Sequence, residues 1–411
     1  MSFQSSMMGK KYKFYIVVIV LILTGIYADG QQIKAFSQDK KQFLFASKPE
    51  RSLKATYLKN NIDSLIEIKV DPFQCSDSWQ GAFWAMQLML YKPEKLRRLI
   101  PSFIQNLSSG SAEYQRSFLE MLYTLYPNDF AKKIKQEWRK LDNAKNQAMA
   151  LEYLLLSGLR PRINPSDKIS GTDWHVTYIK RKHPSLQKPA QKNFTDTSFL
   201  AGKVVLCSFQ SSDRNIPGYL MIRTSNGSWL ADDDGKVIKI PQLARSISNL
   251  PYYLTNGNTP QGLYRITGTD ISENKWIGPT TNIQMVMPFE NNHQFFQGNR
   301  DYEMYYKTLL GEILGKVTAL YEAYYAGKLG RSEIIAHGTT IDPEFYRGQI
   351  FYPCTPSLGC LCSPKIWDED GRISYSAQQQ ILDALIKNNL TPEWLIVAEI
   401  SDFQPPEITM Q

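Results

Sequence analysis

The sequence predicts an α+β fold: an N-terminal all-helical domain followed by a mostly β domain that carries a long helical insertion. Three observations lead there. Residues 76–158 place apolar side chains at spacings of three and four. Beyond about residue 200 the pattern changes to short runs of β-branched and aromatic residues parted by turn signals. Residues 301–326 then return to helical spacing for one long stretch. At 411 residues the chain exceeds one ordinary domain, and 43% apolar against 21% charged residues, without low-complexity tract or internal repeat, excludes a largely disordered protein.

The N-terminus sets the expected compartment. Lys10, Lys11 and Lys13 precede the apolar run FYIVVIVLILTGIYA at residues 14–28, a basic region followed by a hydrophobic one. This pattern predicts a secretory signal over residues 1–28 ending near Ala28, with an uncleaved N-terminal anchor as the alternative. The run is shorter than the roughly 20 residues of a relaxed transmembrane helix. Export to the periplasm or cell envelope follows. Removing residues 1–28 takes away three lysines and no acids, so the formal charge falls from +8 to +5. That mild, spread basicity suits an anionic envelope polymer and gives no case for nucleic acid. Membrane attachment is expected only through an uncleaved N-terminal segment.

Outside the cytosol disulfides persist, and the chain has five cysteines: Cys75, Cys207, Cys354, Cys360 and Cys362. An odd number leaves at least one unpaired or paired between chains. Cys360 and Cys362 are too close in sequence for an unstrained bridge; Cys354 with Cys362 is the easier pairing and would leave Cys360 free.

Five short helices are expected in SDSWQGAFWAMQLMLY, KLRRLIPSFIQNL, SAEYQRSFLEMLYTLY, PNDFAKKIKQEWRKL and NAKNQAMALEYLLLSG, forming an antiparallel helical layer within a domain at 29–165. Trp79, Phe83, Trp84, Tyr123 and Tyr126 lie at helical spacing, which favours core packing over a groove. The proline-containing, polar stretch at 166–194 reads as a connector. Strands are expected in KVVLCSF, GYLMIRT, SWLADDDGKVIKI, GLYRITGTD and IQMVMPF, with turns at Ser225-Asn226-Gly227 and Asp234-Gly235. Asp232 to Asp234 lack the other ligands of a calcium loop and read as a solvated turn. In residues 301–326 the apolar positions 302, 305, 309, 313, 317, 320 and 324 form one stripe of a long helix packed on the sheet. A further helix at about 375–388 and a strand at 394–400 complete the domain, which spans 195–404 with a tail at 405–411.

A cysteine becomes a nucleophile where its thiolate is favoured and a base is within reach. Cys360 follows Gly359, whose small size permits a tight turn aiming successive N–H groups at a developing oxyanion. Among the four histidines, His175, His183 and His293 sit in polar or connecting stretches. His337 ends the strand-like run EIIAHG and precedes Gly338, so a strand end presents its imidazole beside a turn.

NTPQGLYRITG at 258–268, IQMVMPFE at 283–290, IIAHGTT at 334–340 and TPSLGC at 355–360, in that order, resemble the L,D-transpeptidase (YkuD-type) catalytic domain. That family opens a strand with Thr-Pro-x-Gly, continues with a Met-Pro-containing strand and a His-Gly pair, and ends with Ser-x-Gly-Cys. The resemblance covers about residues 200–404 and leaves the N-terminal helices unexplained. It implies Cys360 as nucleophile, His337 as base and the Gly338 carbonyl as the group orienting the imidazole. Ser357 and Gly359 match the turn, and the N–H groups of Gly359 and Cys360 would receive the oxyanion. The implied substrate is the peptidoglycan stem peptide, cleaved between its third and fourth residues through a thioester, with no cofactor and no metal. An amine acceptor would give a cross-link and water an L,D-carboxypeptidase. The helical domain would bind a protein or glycan partner.

The chain departs from that pattern in three places. Leu358 stands where a second His is common, and Cys362 where an Arg or Asn is common. His337 and Cys360 are also further apart than usual, with PEFYRGQIFYPC as the extra loop. Losing an Arg removes a bidentate partner for a carboxylate or carbonyl. Leu358, Cys362, Arg347 and Tyr352 are therefore the candidate substrate contacts. Two other readings stand beside the enzyme: a zinc site from His337, Cys354, Cys360 and Cys362, whose spacing is not a paired Cys-x2-Cys pattern, and a peptidoglycan-binding scaffold that has lost activity.

Overall fold

The structure, a computed structural model, describes residues 47–68, 71–73, 75–182, 188–271, 280–339 and 341–408. The expected signal or anchor at 1–28 lies outside them, as does His183. Helices α1 (Lys48–Glu67), α2 (Ser76–Leu88), α3 (Glu94–Gln105), α4 (Ala112–Leu125), α5 (Ala131–Glu137), α6 (Ala144–Leu156) and α7 (Asp173–Lys182) form the first layer. Five of them match the five expected segments. Local chemistry sets their starts: the Ser111 side chain accepts from Tyr114 N–H, and Asn143 from Lys145 and Asn146 N–H. Their apolar faces meet in an aromatic core in which Trp79 stacks edge-on to Phe103 at 5.0 Å and Phe83 to Phe118 at 5.5 Å. Trp79, Phe83 and Tyr126 are fully buried there, while Trp84 faces outward. No helix among the described residues is long and apolar enough to cross a membrane.

The second part is a mixed sheet. Its strands are β1 (Val205–Gln210), β2 (Gly218–Arg223), β3 (Ile240–Gln242), β4 (Gly262–Ile271), β5 (Thr281–Val286), β6 (Ala336–Gly338) and β7 (Leu361–Ser363). A side hairpin, β8 (Lys365–Trp367) with β9 (Ile373–Ser376), precedes β10 (Trp394–Glu399). The order across the sheet is β3-β2-β1-β10-β4-β5-β6-β7. Pairs β1/β10 and β6/β7 are parallel and the others antiparallel. Just beyond β3, Leu243 exchanges two backbone hydrogen bonds of 2.9 Å with Cys362 in β7, so the two edges nearly close on each other.

Strand period two explains the layers. Leu206, Leu220, Ile222, Tyr264, Leu395 and Val397 point to one face, against Ile381, Leu382 and Leu385 of α11 (Ala377–Lys387). Val205, Cys207, Phe209, Leu263, Trp394 and Ile396 point to the other. There they meet Phe295 and Phe296 of α8 (Asn292–Phe296) and Tyr306 and Leu310 of α9 (Tyr302–Leu314). Both faces being covered is why KVVLCSF and WLIVAEI read as continuous apolar runs. A buried polar thread joins the sheet edges: Ser208 Oγ donates to Gln242 Oε1 at 2.7 Å, and Gln378 Nε2 of α11 donates to the carbonyls of Thr281 and Ala336 at 3.2 Å.

The long insertion helix is corrected. It is broken at Gly311, with φ +73°, and continues as a 3-10 turn at Thr318–Tyr321 and α10 (Glu322–Lys328). The cause is a close backbone approach. A Cβ at Gly311 would lie 2.5 Å from Ser198 Oγ, which accepts the Glu312 N–H, and Leu200 N–H bonds Leu309 O. The break also shifts the buried face: Tyr306 and Leu310 before it and Leu314 after it are buried, while Ile313 of the expected stripe is exposed. Packing of this segment on the sheet holds as expected.

The helices and the sheet belong to one compact unit. Leu250, Tyr253 and Leu254, from the segment after β3, are part of the helical core. Tyr253 OH donates to Glu152 Oε1 at 2.5 Å and Asn256 Nδ2 to both oxygens of Glu120 at 3.1 and 3.2 Å. On the far side Arg51 of α1 pairs with Asp342 at 3.1 Å, and Tyr346 OH donates to Leu88 O at 2.8 Å.

Candidate active site

Parallel pairing of β6 with β7 puts His337 opposite Cys362 and Ala336 opposite Leu361. Ala336 and Leu361 face the core on the α11 side. By strand alternation His337 and Cys362 share the other face, and Cys360 lies in the bend just before β7.

The imidazole is held neutral and in one tautomer. His337 Nδ1 lies 2.6 Å from Gly338 O, so Nδ1 carries the proton and Nε2 the lone pair. Burial, with the Lys365 ammonium adding to it, holds the ring's pKa down to about 4, keeping it neutral. Gly338 has a packing reason to be glycine: a Cβ there would sit 3.2 Å from Lys365 Nζ. Lys365 is fully buried and its own pKa is pushed down to about 7 by burial.

Cys360 is half-buried, and of the sequence-singled pair it is the one that reaches the surface; Cys362 is fully buried against Thr355. All five cysteines are free thiols. Burial raises the Cys360 thiol above its ordinary range, against the pull of the Ile335 N–H and the Arg331 charge. Its Sγ donates to Glu333 O at 3.4 Å, and no hydrogen bond joins it to His337.

The turn before Cys360 is built by Ser357 and Gly359. Ser357 Oγ donates to Cys360 O at 2.9 Å and accepts from Gly359 N–H at 3.2 Å. The Gly359 N–H is therefore engaged, and of the two expected oxyanion donors the Cys360 N–H makes no hydrogen bond among the described residues. Gly359 has φ +116°, and a Cβ would overlap Arg331 Nη2 and lie 2.6 Å from Gly257 O. Leu358 of this turn is 49% exposed.

The extra loop serves the helical layer. Tyr346 and Phe351 are buried with Leu243 and Cys354 and pack against Leu90. Arg347 and Tyr352 remain outside, both bound to Glu344: Arg347 through two nitrogens at 2.7 and 2.8 Å, Tyr352 OH at 3.0 Å. Among the described residues no three of His, Cys, Asp and Glu gather as a metal-holding set, so the zinc alternative gains no support. His175 is half-buried and His293 is exposed on α8.

Sequence reasoning missed the groups that hold this turn. Thr259 Oγ1, fully buried, donates to Gly359 O at 2.8 Å. Glu290 accepts from Met287 and Glu333 N–H, both at 2.8 Å, and so fixes the segment whose carbonyl receives the thiol. Arg331 Nη1 donates to the carbonyls of Tyr252, Gly257 and Asn258 at 2.6, 3.1 and 3.0 Å. Thr259 and Glu290 lie within segments singled out above for their resemblance, which was the available signal; Arg331 had none. All four segments therefore converge on Cys360. No protein-family model, curated protein or solved structure matches the chain.

Proposed function

We propose that the protein is a cysteine-dependent L,D-transpeptidase acting on peptidoglycan stem peptides in the cell envelope. The observation that supports it most is this convergence: four segments far apart in sequence meet at a half-buried cysteine on a glycine turn. A histidine whose Nδ1 is held by its neighbour's carbonyl stands on the adjacent strand.

The thiol leaves Glu333 O and passes its proton to Nε2 of His337. The thiolate adds to the carbonyl carbon of the amide between stem residues three and four, and the Cys360 N–H receives the oxyanion. The S–C bond is kept, the C–N bond breaks, and the imidazolium returns its proton to the departing D-amino acid. An amine of a second stem then attacks the thioester, giving a cross-link and restoring the thiol. Water in that place gives the tripeptide, the L,D-carboxypeptidase outcome.

One observation favours a non-catalytic scaffold instead: the thiol is raised by burial and bonded to a carbonyl, away from the imidazole. Catalytic hydrogen bonds are often unmade before substrate binds, so the enzyme reading is preferred. Incubating wild type and Cys360→Ala with purified stem-peptide fragments separates the two. Dimers or tripeptides from wild type alone, with a carbapenem mass adduct on Cys360, are expected. Neither product nor adduct from folded, reduced protein would leave the scaffold.

A further inference from the structure

We infer that Arg331 is the buried counter-charge of the Cys360 thiolate and a positioning residue for the turn that carries it. This rests on the reading of Cys360 as a nucleophile. Arg331 follows the C-terminal end of α10, and its side chain runs inward to lie against Gly359, with Nη2 where any Cβ would fall. It is only 6% exposed. Its three carbonyl bonds all go through Nη1, so the nitrogen beside Gly359 makes no hydrogen bond among the described residues.

A guanidinium does not lose its proton in a protein, and a buried charge is ordinarily paired. Among the described residues no carboxylate pairs with Arg331. The acidic groups it feels are the Tyr264 phenol and the Cys360 thiol. Burial pushes Tyr264 well above its ordinary range, so it stays neutral. Cys360 is the remaining group able to supply the missing negative charge, which it does only as the thiolate. The other charged groups facing the thiol are Glu333 and Glu290, both of which oppose the thiolate, and the neighbouring Cys362 is kept a neutral thiol by burial. Lys145 of α6 faces Arg331 from the helical layer and adds positive charge. The same guanidinium clamps the 252–258 segment, so charge and turn geometry depend on one side chain.

The test is the pH dependence of Cys360 alkylation by iodoacetamide, read by peptide mass in the full chain with Cys75 replaced by Ser. It needs no peptidoglycan chemistry. In Arg331→Met the midpoint should rise by at least one pH unit, so alkylation below both midpoints slows about tenfold. Arg331→Lys should recover at least half of the shift. An unchanged midpoint in folded Arg331→Met overturns the inference. Should Arg331→Met fail to fold, Cys360→Asp against Cys360→Asn decides. A carboxylate paired with Arg331 makes the Asp variant at least as stable as the Asn variant at pH 8, and a less stable Asp variant refutes the pairing. Stem-peptide acylation with an unshifted midpoint sinks only this inference. A shifted midpoint without acylation sinks only the transpeptidase reading.

Discussion

Gly359 lies flat against Arg331 Nη2 and the Gly257 carbonyl, in a backbone region that side chains rarely enter. That conformation costs about 1–3 kcal/mol for a residue with a Cβ, before any overlap is relieved. Gly359→Ala is therefore expected to destabilise the fold by at least about 2 kcal/mol and to abolish carbapenem acylation of Cys360. Urea unfolding and adduct mass measure the two. A folded variant that acylates at the wild-type rate would show that the turn relaxes without harm. At this scale the Ser357 and Gly359 turn beside Cys360 was legible, because a tight turn restricts which residue types fit it. Arg331 was not, since a single arginine after a helix carries no local signal, and its partners are carbonyls, which every residue has.

Elements explain why the site segments meet. The β6/β7 ladder is only three residues long and stops short of Cys360, so hydrogen bonds from outside it brace the turn that carries the cysteine. Thr259 is one such brace. Thr259→Val keeps the shape but leaves the buried Gly359 carbonyl without its donor, which costs about 1–3 kcal/mol. The expected outcome is a lower urea midpoint together with slower Cys360 acylation; a lowered midpoint with normal acylation would assign Thr259 to stability alone. The helices α2 to α6 were readable from spacing and caps. Helix α1 was not, because exposed Leu53 and Tyr57 blur its buried stripe of Ile62 and Ile66. The break at Gly311 was equally hidden: the apolar period runs through it, and only the approach of Ser198 forces the kink.

Across the whole molecule the helical layer and the sheet are joined through Glu120 and Glu152 at the 250–256 segment, the same segment Arg331 clamps under Cys360. Burial lifts the Glu120 carboxyl to about 7, against the pull of Arg116 and Asn256. The folded protein then keeps a proton that the unfolded chain releases near its ordinary value of about 4.3. This contribution is fully present below that value and is lost as pH rises through about 7. Glu120→Gln should accordingly exceed wild type by on the order of 1–3 kcal/mol at pH 8 and match it at pH 4, as read from urea midpoints. A variant weaker than wild type at both would mean that the carboxylate's bond to Asn256 outweighs its burial.

Local pattern by itself determined the helical layer and most of the strands, and singled out Cys360 and His337 as candidates, because period and short motifs depend only on near neighbours along the chain. Tertiary structure alone decided that the extra loop docks on the helices rather than reaching over the site. It also decided that Cys362 is sealed in while Cys360 opens outward, and that Arg331 lies under the turn. Each of these turns on which distant segment comes to lie within hydrogen-bonding or van der Waals reach. That is set by how two covered sheet faces and a helical core share the 250–258 segment, and no stretch of sequence records it locally.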